Sequence, residues 1–218
     1  PRTVAATALS PEGRPEALVD PGLHKRPRDL DLPPWQKGRY GTAIGRAVHA
    51  VLQTIDLATG AGRAEAVAAQ AAGEGVIGHE AHIDALVRAA LASPSVIEAA
   101  TRPHWRELYV GVPLGGGRTL EGYVDLLYRS DEGLVVVDYK TGPASPDTDL
   151  DPLVERYRAQ GASYALAVAD ATGEPVVGMV FAFLTPAGPA ERALPDLPDA
   201  IADVRRLAAA GGPIPVTP

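Results

Sequence analysis

The stretch Leu-Val-Val-Val-Asp-Tyr-Lys at residues 134–140 decides how this chain folds. Its four consecutive apolar residues predict a central strand that is buried on both faces of a sheet. Side chains two apart on a strand point to the same face, so Asp138 and Lys140 should project together while Tyr139 points away. Ligands of open sheets bind beyond such strand ends, although a lone Asp-x-Lys pattern is also typical of a surface salt bridge.

The chain on either side of this stretch alternates between helical and strand patterns. Two strands at 106–114 and 119–128 precede the central strand at 133–140, with turns at GGGR and SDEG. A helix at about 41–58 is expected before the strands, followed by two or three more at roughly 63–75, 79–92 and 94–101. A helix at 152–170, a strand at 176–184 and a helix at 196–210 follow. This order predicts an α/β fold in which a mixed central sheet is flanked by helices, with the site at one sheet edge.

The composition is that of one globular domain preceded by an irregular segment. The chain has 218 residues, of which 46% are hydrophobic. Residues 1–37 are rich in proline and predict a linker or strap, and residues 38–218 are expected to form the domain. Cysteine is absent, which excludes disulfides, thiolate zinc sites and iron–sulfur clusters.

Targeting signals are also missing from the sequence. No run of about 18 apolar residues predicts a membrane span, and the first residues have no apolar region of the signal-peptide type. We therefore expect a cytoplasmic protein without membrane contact. Because the sequence does not begin with Met, we expect it to be part of a longer chain.

The charge distribution limits the choice of partner. A formal net charge of −7 is unfavourable for a nucleic-acid binder, whose affinity comes largely from phosphate neutralisation. Between Lys25 and Arg46, however, the sequence contains six basic residues and only two acidic ones. A metal-dependent enzyme must in addition collect carboxylates, and bound divalent cations offset part of that charge.

Two residues distant in sequence join the strand end as candidates. Asp125 lies one hairpin before Asp138, and a charge inside an apolar strand is costly unless it is paired or bound to metal. His49 follows Gly45 by four residues, so the two lie on one face of the first helix, where the small residue would leave room for a substrate. A structural role for His49 is the alternative.

Taken in order, these motifs resemble the RecB-type nuclease branch of the PD-(D/E)xK superfamily. The resemblance covers about residues 38–185. This region is similar above all to the C-terminal nuclease domain of RecB and AddA helicase–nucleases. It rests on five segments: G-T-A-I-G-R-A-V-H at 41–49, W-R-E-L-Y-V-G-V-P-L at 105–114, E-G-Y-V-D-L-L-Y at 121–128, V-V-D-Y-K-T-G at 136–142 and Q-G-A-S-Y-A-L-A-V at 160–168. It implies a restriction-endonuclease-like core.

The resemblance also implies a role for each site residue. The metal ligands would be His49, Asp125, Asp138 and the Tyr139 carbonyl. The catalytic group would comprise Lys140, Asp125, Asp138, Gln160 and Tyr164, with Lys140 acting on the attacking water or the phosphate. Glu107 would lie behind the ligands or pair with Arg106 or Arg118, and Tyr164 could equally be a core residue. Apart from the resemblance, Arg39 and Arg46 of the basic segment are expected to contact DNA.

The function implied is that of a metal-dependent deoxyribonuclease. We expect an exonuclease module that uses Mg²⁺ or Mn²⁺ on single-stranded DNA, belongs to a bacterial helicase–nuclease, and serves end processing in recombinational repair. No iron–sulfur cluster is expected, and the absence of a G-x-x-x-x-G-K-[ST] motif predicts no ATP site in this chain. The alternatives are a stand-alone RecB-like exonuclease and a non-catalytic module that binds DNA or a helicase.

Overall fold

A computed structural model describes residues 2–5, 42–115, 118–142 and 149–209 of the chain. These residues form one six-stranded mixed sheet and six helices. The strands are β1 (Arg2–Ala5), β2 (His104–Gly115), β3 (Arg118–Arg129), β4 (Leu134–Lys140), β5 (Val176–Thr185) and β6 (Gly188–Ala193). The helices are α1 (Ala43–Thr54), α2 (Arg63–Gly73), α3 (Glu80–Leu91), α4 (Pro94–Ala100), α5 (Asp151–Thr172) and α6 (Leu197–Ala209).

Strand β3 pairs with three other strands of the sheet. β2 runs antiparallel along one edge of β3 over almost its whole length. The other edge is therefore shared: β1 pairs in parallel with residues 118–121, and β4 pairs antiparallel with residues 126–129. Residues 122–125 lie between these two pairings, where β3 and β4 diverge. On its other side β4 is parallel to β5, and β5 is antiparallel to β6.

Two hydrophobic cores cover the two faces of the sheet. One core joins the sheet to α5 and α6, and the other joins it to the layer of α1 to α4. All seven residues of β4 are buried, which is the burial that its apolar sequence predicts for a central strand. Successive β4 side chains alternate between the cores, Val136 toward α5 and Val137 toward α1. Within the described ranges, no helix has both the length and the hydropathy needed to cross a bilayer.

Helix α1 is anchored at both ends. At its N-terminus the Thr42 hydroxyl accepts a hydrogen bond of 3.0 Å from the Gly45 amide, which is the arrangement of an N-cap. At its C-terminus the Arg106 guanidinium donates to the carbonyls of Leu52 and Ile55. A cation at this end satisfies carbonyls that have no partner inside the helix and interacts favourably with the helix dipole.

The predicted α/β fold and element order are confirmed, and two strands were not predicted. Residues 2–5 form β1 where the sequence predicts a linker or strap, and residues 6–37 of that segment lie outside the described residues. Strand β6 was missed because its sequence, Gly-Pro-Ala-Glu-Arg-Ala, has no apolar alternation. Its Glu191 carboxylate accepts hydrogen bonds from the Ser93 and Ser95 hydroxyls and from the Ser95 amide, which ties β6 to the start of α4.

Candidate active site

The carboxylate of Asp125 occupies the gap between the diverging strands β3 and β4. Its Oδ2 accepts a hydrogen bond of 2.7 Å from the backbone amide of Tyr139, and the contact is buried. The side chain thus supplies the acceptor that the β3 backbone no longer offers to β4 at this point. The site therefore lies between two interior strands, and the expectation of a site at one sheet edge is corrected.

The second oxygen of Asp125 binds His49. The distance from His49 Nδ1 to Asp125 Oδ1 is 2.9 Å, which brings a residue of α1 onto the strand. Burial by itself lowers the pKa of His49, but the carboxylates of Asp125, Glu107 and Asp138 outweigh it and raise the pKa to about 9. The ring also meets Tyr139 edge-on, with centroids 5.8 Å apart. His49 thus joins α1 to both diverging strands.

Glu107 lies near His49 because its backbone adopts an unusual conformation. Its φ of 49° lies in the left-handed region, which costs a residue with a Cβ about 1–2 kcal/mol. Arg106 and Leu108 flank it and should share a face of β2, yet Arg106 binds α1 while Leu108 packs against the α5 core. The alternation of β2 side chains between the two faces of the sheet, which we call its phase, therefore changes at Glu107. The Glu107 carboxylate turns toward α1 and lies 4.0 Å from His49 Nδ1.

Strand β3 changes phase at the position opposite Glu107. Val124 lies in the α5 core and Leu126, two residues later, lies in the α1 core. This change directs the intervening Asp125 toward His49 as well. One ligand atom from each of His49, Glu107 and Asp125 lies within 4.8 Å of the others. One imidazole and two carboxylates at this spacing fit a hard divalent cation such as Mg²⁺ or Mn²⁺.

Asp138 and Lys140 form a buried ion pair next to this group. Lys140 Nζ lies 2.7 Å from Asp138 Oδ2, and the two residues are 6% and 4% exposed. The alternative of a surface salt bridge at the strand end is therefore wrong. Burial raises the pKa of the Asp138 carboxyl above its usual value, against the opposing effect of the Lys140 ammonium. Asp138 is not part of the three-residue group, although the sequence predicts it as a ligand.

Residues of α5 contact the Lys140 ammonium and fix its position. Lys140 Nζ donates to Gln160 Oε1 at 2.9 Å, and Gln160 Nε2 donates to the Tyr164 hydroxyl at 3.3 Å. The ammonium also lies 4.1 Å from the centroid of the Tyr157 ring. Gln160 and Tyr164 are buried, so they position the Lys140 ammonium and do not offer an open surface to DNA.

The structure does not support two expectations about the first helix. Arg46 is 8% exposed and its guanidinium pairs with Glu74 at 2.6 Å, so it is not available to contact DNA. Gly45 does not open a path to His49. A Cβ at this position would lie 2.7 Å from Thr141 Oγ1, so the missing side chain lets α1 pack against the end of β4. Arg39, the other expected DNA contact, lies outside the described residues.

Two contributions to the site were missed or underrated in the sequence. Glu107 was expected behind the ligands or paired with Arg106, whereas it faces His49 and Arg106 is bound to α1. Its setting in an apolar strand is the same signal that singled out Asp125. Tyr157 was not predicted at all, although it lies three residues before Gln160 and so shares a face of α5 with it.

Comparison with known proteins identifies the family of the chain. Residues 21–216 match the family model of the PD-(D/E)XK nuclease superfamily. An ATP-dependent helicase/nuclease subunit from Desulforudis audaxviator is 32% identical over 187 residues, which is 77% of this chain and 15% of that protein. A crystal structure of SSO0001 is 14% identical, covers 77% of this chain and 73% of that one, and has a TM-score of 0.36, too low to bear on fold or activity. On the family match and the curated relative, the chain belongs to the PD-(D/E)XK nuclease superfamily.

Proposed function

We propose that this chain is a divalent-metal-dependent deoxyribonuclease that acts as the nuclease module of a bacterial helicase–nuclease in DNA end processing. The observation that carries the proposal is the meeting of His49, Glu107 and Asp125 within 4.8 Å. The buried ion pair of Asp138 and Lys140 lies beside them. Burying a charge costs on the order of several kcal/mol. A purely structural module gains nothing from assembling these charges at one place.

The donor set indicates how a cation would be held. His49, Glu107 and Asp125 would bind it, and the family resemblance adds Asp138 and the Tyr139 carbonyl. Imidazole and carboxylate ligands suit Mg²⁺ and Mn²⁺. The cation would supply charge neutralisation at the phosphate and a lowered pKa for a water near neutral pH.

Lys140 would act on the same phosphate or on the attacking water. Gln160 and Asp138 already fix the position of its ammonium, so little reorganisation is needed when a substrate arrives. A fixed positive charge directed at the scissile phosphate stabilises the charge that develops as the phosphodiester bond breaks. The backbone amide of Tyr139 keeps Asp125 oriented during this step.

A motor domain is the partner that fits best. The similar region belongs to an ATP-dependent helicase/nuclease, and this chain spans 15% of the length of that relative. A net charge of −7 disfavours unaided capture of DNA. We therefore propose that a helicase in the same polypeptide or complex delivers single strands, which this module cuts as an exonuclease during recombinational repair.

Cleavage of labelled single-stranded and duplex DNA ends in Mn²⁺ tests the proposal. Asp125→Asn should lower the cleavage rate at least about a hundredfold, which corresponds to about 3 kcal/mol of lost transition-state stabilisation. Asp131→Asn makes the same chemical change on the exposed β3–β4 turn, so it should cut like the wild type. The enzymatic proposal fails if the wild-type chain cuts nothing and Asp138→Ala in the full enzyme leaves nuclease activity intact.

The same assay separates the alternatives. A stand-alone RecB-like exonuclease would cut free ends efficiently without a motor and would bind DNA through its own surface. A non-catalytic module would bind DNA or a helicase while cutting neither substrate in any divalent metal.

A further inference from the structure

Two tyrosines form an aromatic pair on the β2–β3 hairpin, in which Tyr109 is exposed and Tyr123 is half-buried. Tyr109 and Tyr123 are directly opposite each other in the strand register, and their ring centroids lie 5.4 Å apart at an interplanar angle of 62°. Tyr109 is 54% exposed, which is unusual for a large ring in a chain with only 5% aromatic residues. Exposed aromatic side chains of this kind mark contact surfaces.

The pair lies on the same sheet face as the candidate metal group. Tyr123 precedes Asp125 by two residues, and Val124 between them points into the opposite core. Because neighbouring side chains of a strand point to opposite faces, Tyr123 lies on the α1 face, where Asp125 contacts His49. Two residues of a strand span about 7 Å, which is about two steps of stacked bases at their 3.4 Å rise.

The Tyr109 ring is held in place before any ligand arrives. Its hydroxyl donates to Glu121 Oε2 at 3.1 Å. The ring lies across Gly111, where a Cβ would be 3.3 Å from the Tyr109 hydroxyl oxygen, so the glycine makes room for it. A ring fixed by its neighbours loses little conformational freedom when it binds, and this favours affinity.

We propose that Tyr109 and Tyr123 form a stacking platform for unpaired bases of the DNA strand whose phosphate lies at His49, Glu107 and Asp125. The proposal rests on the nuclease function proposed above and names the feature that selects single strands. Aromatic rings bind the faces of unpaired bases of any sequence, whereas a duplex hides those faces. Stacking also supplies affinity that a chain of net charge −7 cannot draw from phosphate neutralisation.

Equilibrium binding of a fluorescent oligothymidylate to the full chain, at low salt and without divalent metal, tests the platform. Tyr109→Ala should weaken binding about tenfold, since one stacked base is lost. Tyr109→Phe keeps the ring but loses the hydrogen bond to Glu121, so it should retain most of the affinity that Tyr109→Ala loses. Trp105→Ala is the matched control because Trp105 pairs with Leu127, whose side chain lies in the α5 core, on the opposite face.

A second experiment leaves the Tyr109 ring intact and uses DNA without bases. An abasic oligonucleotide of the same length should bind the wild type at least as weakly as ordinary DNA binds Tyr109→Ala, because stacking on both rings is lost. Unchanged binding by Tyr109→Ala, equal affinity of the wild type for both oligonucleotides, or no measurable binding at all would overturn the platform. Because these readouts need no cleavage, Tyr109-dependent binding without any nuclease activity would support the platform and contradict the proposed nuclease function alone.

Discussion

At the scale of single residues, the site depends on a backbone conformation that glutamate rarely adopts. The left-handed Glu107 shifts the phase of β2 so that its carboxylate and the Arg106 guanidinium both face α1. The strain, about 1–2 kcal/mol for a residue with a Cβ, lies at the residue that we propose as the third ligand of the cation. The proposed site therefore connects the strain at Glu107 with a chemical role for its carboxylate.

Replacing Glu107 by Gly and by Ala separates these two effects. Both variants lose the carboxylate and should bind Mn²⁺ more weakly, by about tenfold or more. Glycine adopts positive φ without steric cost, so Glu107→Gly should be more stable than Glu107→Ala by about 1 kcal/mol.

Urea unfolding and calorimetric Mn²⁺ titration measure the two quantities. In an ordinary strand the order of stability is reversed, because glycine is less favourable than alanine by roughly 0.5–1 kcal/mol. An alanine variant that is the more stable of the two would contradict the left-handed conformation of Glu107.

Gln160 is expected to act through Lys140. Gln160→Leu keeps the bulk of the side chain but removes the oxygen that fixes the ammonium, so kcat should fall about 10- to 100-fold with a smaller change in KM. Tyr164→Phe removes only the next hydrogen bond in the chain and should have a weaker effect. Steady-state kinetics on single-stranded DNA measures both variants, and equal losses from the two would contradict this order of positioning.

At the scale of elements, α1 and the end of β4 must approach closely for His49 to reach Asp125. Gly45 makes this possible because a side chain there would collide with Thr141. The contact places α1 directly over the strand that carries Asp138 and Lys140. The geometry of the site is therefore set by helix–strand packing as well as by the ligands.

Gly45→Ala should therefore destabilise the chain and lower its activity, and a second change should restore both. The new Cβ would lie 2.7 Å from Thr141 Oγ1, closer than real Cβ atoms approach, so the Thr141 side chain or one of the two elements must shift. Thr141→Ala removes the obstructing hydroxyl. A double-mutant cycle of urea unfolding should give a coupling energy of about 0.5–3 kcal/mol, and strictly additive effects would contradict the close approach.

The elements that the sequence predicted correctly are those with strong periodicity. The apolar run of β4 and the amphipathic pattern of α1 identified the central strand and the helix of His49 to within a few residues. β6 has no such pattern, because its pairing with β5 and the contacts of Glu191 hold it in place. The phase change at Glu107 could not be predicted, since it depends on the pairing of β2 with β3 and on α1.

At the scale of the whole molecule, the site lies between the two helical layers of the described residues. α5 closes the face behind Lys140, and α1 brings His49 from the other face. The site between them gathers the carboxylates of Glu107, Asp125 and Asp138 in a chain whose net charge is −7. Such a molecule can hold a cation well and still attract DNA poorly.

Attachment to a strand-delivering module should therefore lower KM without changing kcat. Fusion to a single-strand-binding domain raises the effective concentration of DNA at the site to about the millimolar range. The control is the same fusion with a binding-deficient partner domain, which should behave like the free chain. A free chain whose KM is already as low as that of the fusion would contradict the need for a motor.

The central claim is that His49, Glu107 and Asp125 hold the catalytic cation at the gap between β3 and β4. A crystal structure of the chain with Mn²⁺, recorded at a wavelength where manganese scatters anomalously, tests it most directly. We predict an anomalous peak bound by all three side chains that disappears in Asp125→Asn. A manganese peak elsewhere in the molecule, with none at these residues, would contradict the claim.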